Sequence, residues 1–73
     1  MDKDKKLQLL ELQWRKGQIS TDFLAIKFVV EDLKQELPEK AELLDKVLDK
    51  ARILRDSARS GIDLQIGEVI ADL

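Results

Sequence analysis

Catalysis needs a nucleophile and a base, and this chain is poor in both. Its hydroxyl side chains are Ser20, Thr21, Ser57 and Ser60, and it contains no Cys, His or Tyr. Without imidazole or thiolate, the commonest general base and the commonest zinc ligands are missing. No motif sets a Lys or a carboxylate beside one of the four hydroxyls to activate it. No catalytic residue and no cofactor is therefore assigned. Oxygen ligands remain: Glu42, Asp45 and Asp49 project to one side of a helix and can attract Ca²⁺ or Mg²⁺. Their spacing matches no dedicated metal loop. Lys46, four residues after Glu42, sits where an ordinary ion pair is favoured, so these acids read as a solvated face and no metal is expected.

Surfaces offer more. Arg52, Arg55 and Arg59 fall within a narrow arc of one helix and can contact successive phosphates or an acidic partner. Asp49 and Asp56 flank them, and 13 basic against 15 acidic residues leave a net charge of -2, a balance that argues against a polyanion binder. Trp14, the single tryptophan, suits either an interface anchor or a cover over one end of a core. Leu24 and Phe28 project away from the seam formed by Phe23, Ile26, Val30 and Leu33, which gives that helix a second apolar face. Ile62, Ile66, Val69, Ile70 and Leu73 carry the apolar surface available to meet it. The candidate partner-binding residues are accordingly Trp14, Leu24, Phe28, Arg52, Arg55, Arg59, Ile66, Val69 and Ile70.

These residues have to be positioned by helices. Leu, Lys, Glu, Asp and Gln dominate, aromatics are 4%, and no alternating run of β-branched residues finds a partner, so the chain is expected to be nearly all α. A first helix is predicted from about 4 to 16, with Leu7, Leu10 and Trp14 as its stripe and Leu9 and Leu12 widening it. Gly17 is expected to end that helix in a left-handed conformation, with Arg15 and Lys16 in its last turn. Ser20 then reads as an N-cap, and Ile19 with Leu24 as a hydrophobic staple, opening a second helix from about 21 to 36. Pro38 ends that helix and starts a third, about 38–60, which runs through Leu43, Leu44, Val47, Leu48, Ala51, Leu54 and Ala58 to a cap at Gly61. Residues 62–73 form a short C-terminal helix or a tail, and are expected to cover Leu24 and Phe28, within the chain or across a dimer. The fold expected is a single domain over 1–73, a small bundle of three helices in which an antiparallel hairpin packs with a longer third helix.

The stretch Gly17-Gln18-Ile19-Ser20, with a short helix before it and another after it, resembles the short oligomerisation hairpin found at the ends of many bacterial proteins (SHOCT). The likeness covers about Leu7 to Leu33. It lacks that family's run of glutamates after the cap, and its aromatic, Phe23, falls one position early. What the resemblance implies is a tight two-helix corner and self-association.

At 73 residues the chain is near the size at which conformational entropy almost cancels what one small core returns, so a partner would help it stay folded. The longest unbroken apolar runs are far shorter than the ~20 residues of a membrane span, and MDKDKK has mixed charge rather than a signal-peptide pattern. A cytoplasmic setting is expected. The function expected is a small non-catalytic interaction module, a homodimer that presents helix faces to a protein partner as an adaptor, inhibitor, assembly chaperone or regulator. The alternative is a nucleic-acid-binding regulator that uses the arginine face of the third helix.

Overall fold

The computed structural model describes residues 3–72 and shows two long helices folded back on each other. Helix α1 spans Lys3–Glu36, 34 residues, and helix α2 spans Ala41–Ala71, 31 residues. Between them Leu37 leaves helical geometry at φ -128° and ψ 66°, and Pro38–Lys40 forms a single 3-10 turn. Proline disfavours the helical region for the residue before it and has no N–H to continue a ladder, so the hairpin turns where the sequence puts Pro38. The Lys40 N–H donates to the Leu37 carbonyl (2.9 Å) and the Ala41 N–H to that of Pro38, which closes the turn into α2.

The three-helix bundle is corrected to a two-helix hairpin, because α1 does not stop at Gly17 and α2 does not stop at Gly61. Every glycine lies outside the left-handed region, and Gly17 and Gly61 are ordinary helical residues. Ser20 is not a cap: its hydroxyl donates to the Lys16 carbonyl (3.2 Å), as that of Thr21 does to Gly17 (3.0 Å), the back-bonding typical of a helix interior. The physical reason lies in register. Leu9, Leu12, Lys16, Ile19, Phe23, Ile26, Val30, Leu33 and Leu37 repeat at alternating spacings of three and four, and a corner at 17–20 would split that seam. A glycine inside a helix costs about 1 kcal/mol, less than the loss of a facing run of this length. The two-helix corner implied by the resemblance to the oligomerisation hairpin is absent at this position. Residues 62–72 likewise continue α2 rather than form a separate helix or tail, and Leu73 lies outside the described residues.

The helices pack antiparallel in a rod 55 × 15 × 9 Å in extent. On α2 the facing residues are Ala41, Leu44, Leu48, Ala51, Arg55, Arg59, Ile62, Ile66 and Val69, all half-buried. Ion pairs bridge the helices and record the register, among them Lys5 with Asp72 (3.1 Å), Lys16 with Asp63 (2.6 Å) and Lys34 with Asp45 (2.6 Å). The lysine stems lie along the seam while their ammonium groups reach carboxylates at its edge. The core is thin. Among the described residues only Leu12, Phe23 and Val30 are buried, and Arg55 stacks its guanidinium 4.1 Å from the Phe23 ring centre.

Candidate interaction surface

The continuity of α1 changes what its remaining apolar residues mean. Leu7, Leu10, Trp14, Gly17, Thr21, Leu24 and Phe28 follow spacings of 3, 4, 3, 4, 3 and 4, a second heptad seam over three heptads. At 100° per residue this seam lies roughly 180° from the one packed on α2. It therefore occupies the outer positions of a two-stranded hairpin, where a helix covered on one side alone carries polar side chains. The structure leaves it open to solvent: Leu7 is 64% exposed, Leu10 67%, Trp14 64%, Leu24 49% and Phe28 65%. Two shallow depressions mark it, one among Leu7, Leu10, Glu11 and Trp14 and one among Trp14, Gly17, Gln18 and Thr21.

The sequence-predicted partner residues separate into two groups. Trp14, Leu24 and Phe28 come together on the outer seam of α1. Arg55, Arg59, Ile66 and Val69 are half-buried on the face of α2 that meets α1, with Arg52 and Ile70 exposed. Arg52 pairs with Asp49 (3.2 Å), Arg55 pairs with Asp56 (2.8 Å) while it covers Phe23, and the Nε of Arg59 is buried with no hydrogen-bond partner. Of the three only Arg52 is exposed, and it is already paired with a carboxylate of its own helix. Residues 62–72 run beside the N-terminal half of α1, where Gln65, Glu68 and Val69 meet Gln8, Glu11 and Leu12, so within the chain they do not cover Leu24 and Phe28. The acids weighed as metal ligands each have a cation beside them: Glu42 with Lys46 (3.8 Å), Asp45 with Lys34 and Asp49 with Arg52.

Sequence reading alone left Leu7, Leu10, Gly17 and Thr21 out of the surface. The signal that finds them is the unbroken spacing, which appears once Gly17 is read as a helical residue.

A second open strip runs along one flank of the hairpin, where Ile19 and Ile26 of α1 border Ala51 and Leu54 of α2. It continues past Ile19 to a depression among Trp14, Ala58, Gly61 and Ile62, and it includes the charged Arg15, Asp22 and Arg55. Among the described residues no helix is long and apolar enough to cross a membrane. No known protein family, curated protein or solved structure matches this chain.

Proposed function

We propose that this protein is a small, non-catalytic interaction module that self-associates as a homodimer and acts as a helical scaffold for other proteins. The observation that carries the reading is the exposed outer seam of α1. Contiguous apolar surface of this kind on a small protein marks a place where another chain sits. Energetics point the same way: a hairpin that buries three side chains among its described residues gains little against the entropy of ordering the chain, and covering a second seam adds what the first lacks. A protein partner that competes for this seam would give the module its regulatory action.

The single tryptophan lies on the seam and reports directly. Sedimentation equilibrium from low to high micromolar concentration is expected to show a monomer–dimer equilibrium, with Trp14 emission shifting to shorter wavelength as dimer forms. A monomer throughout, with emission unchanged, overturns the reading.

A further inference from the structure

We infer that the occupant of the outer α1 seam is the same seam of a second copy, aligned parallel and in register, so that the four helices of the dimer form a row with the two α1 helices at its centre. The inference rests on the self-association reading above and adds orientation and register to it.

The charges beside the seam select this arrangement. With Leu7, Trp14, Thr21 and Phe28 at the first core position of each heptad and Leu10, Gly17 and Leu24 at the second, one edge carries Lys6, Gln13, Ser20 and Lys27. The other edge carries Glu11, Gln18, Ala25 and Asp32. In a parallel two-stranded coil each residue of the first edge meets, across the interface, the residue five positions later on the other chain. Lys6 then faces Glu11 of the second copy and Lys27 faces Asp32 of the second copy, and the two-fold axis repeats both pairs. The middle pairs, Gln13 with Gln18 and Ser20 with Ala25, are neutral. No like charges meet.

Antiparallel alignments reverse this. There each edge faces itself, and the two registers that overlap the seam best bring Lys6 against Lys27, or Asp4 against Asp32. Each such contact is repeated by symmetry and opposes association.

Shape agrees with the parallel register. Equivalent residues form the layers, so Trp14 meets Trp14, the bulkiest layer of the seam. The next layer is Gly17, where a Cβ would find nothing within 4 Å and where a depression already lies beside the indole. Two indole rings need that space. Because α2 packs on the opposite side of α1, it does not obstruct the approach.

The chain has no cysteine, so a single introduced one gives an unambiguous crosslink. Leu10→Cys and Leu24→Cys are both at exposed positions that the hairpin itself tolerates. In mild oxidant each variant alone is expected to form a disulfide-linked dimer within minutes, well ahead of an Asp45→Cys control on α2. A mixed disulfide that forms preferentially between Leu10→Cys and either Thr21→Cys or Phe28→Cys overturns the parallel alignment while leaving self-association standing. A sedimentation monomer instead overturns the underlying reading. Charge reversal supplies an independent readout: Lys6→Glu with Lys27→Glu is expected to weaken dimerisation about tenfold or more, and adding Glu11→Lys with Asp32→Lys to restore it. An unchanged dissociation constant for the first pair overturns the proposed edge contacts.

Discussion

At the scale of single residues, the structure reverses the meaning of Gly17 and divides the two phenylalanines. In a left-handed corner, Gly17→Ala would destabilise; in the helix found here the added methyl meets open space and removes a helix-weakening residue. Thermal melts are expected to show Gly17→Ala stabilised by up to ~1 kcal/mol, and a loss of stability would restore the corner. Phe23 is buried beneath Arg55, so Phe23→Ala should cost about 3 kcal/mol or more by denaturant titration and approach complete unfolding of so thin a core. Phe28→Ala removes an exposed ring. At concentrations where the protein is monomeric it should change stability by less than ~0.5 kcal/mol, while it lowers the dimer fraction at high concentration. Arg59 is a third kind of residue: its buried Nε lacks a partner, and desolvating such a group without a hydrogen bond is unfavourable. Arg59→Met keeps the unbranched stem and discards the polar head, and is expected to raise the melting temperature.

At the scale of elements, the helical class, the Pro38 break and the seam from Phe23 to Leu33 were legible in the sequence, because each rests on local chemistry. The number of helices was not. Gly17 and Ser20 have the chemistry of a cap and a stop, and a local reading gives them that role. What overrides it is a phase relation across them: Leu9 and Leu12 are continued in step by Ile19 and Phe23, and a run of facing contacts outweighs one unfavourable helical glycine. The same holds at Gly61, where Arg55, Arg59, Ile62, Ile66 and Val69 keep their spacing through the glycine. The site was legible in fragments for the same reason. Trp14, Leu24 and Phe28 stood out in the sequence as apolar residues needing a cover, Leu24 and Phe28 being expected beneath residues 62–73, but a corner between Trp14 and Leu24 hid the line that joins them. The continuous pairing has a local consequence. Residues 62–72 face the N-terminal half of α1, tied by Lys5 to Asp72 and Lys16 to Asp63. These pairs are largely exposed and each contributes under ~1 kcal/mol, so the apolar contacts of Ile62, Ile66 and Val69 hold this end together. Deleting residues 62–73 is expected to abolish hydrogen-exchange protection of amides 5–16 while amides 23–33 keep theirs, since the Lys34–Asp45 pair sets that stretch beside the start of α2, near the turn. Equal loss in both windows would mean that the hairpin unfolds as one unit.

At the scale of the whole molecule, α1 is a helix with apolar residues on two opposite sides, and in a monomer one of them faces water. Such a helix belongs at the centre of an assembly. The hairpin covers one side, and the proposed parallel pairing would cover the other without lengthening the rod, because the two copies would lie side by side in register. Shape in solution therefore separates this assembly from an end-to-end one. The monomer's longest dimension is 55 Å against a width of 15 Å. Side-by-side pairing adds a second pair of helices, each about 10 Å across, to the width and leaves the length nearly unchanged. Small-angle scattering of the dimer is expected to give a maximum dimension close to that of the monomer, with a cross-section that is wider in one direction only, as a row of four helices requires. A maximum dimension approaching twice the monomer's would place the contact at the helix ends and remove the outer seam from the interface. A cross-section widened equally in both directions would indicate a square bundle. In that arrangement the flank of Ile19, Ile26, Ala51 and Leu54 would be the buried surface together with the Trp14 edge that adjoins it, and Phe28 would stay exposed. Emission from a Trp14→Phe, Phe28→Trp double variant distinguishes the two, because only the row encloses position 28, whereas Trp14 borders both surfaces.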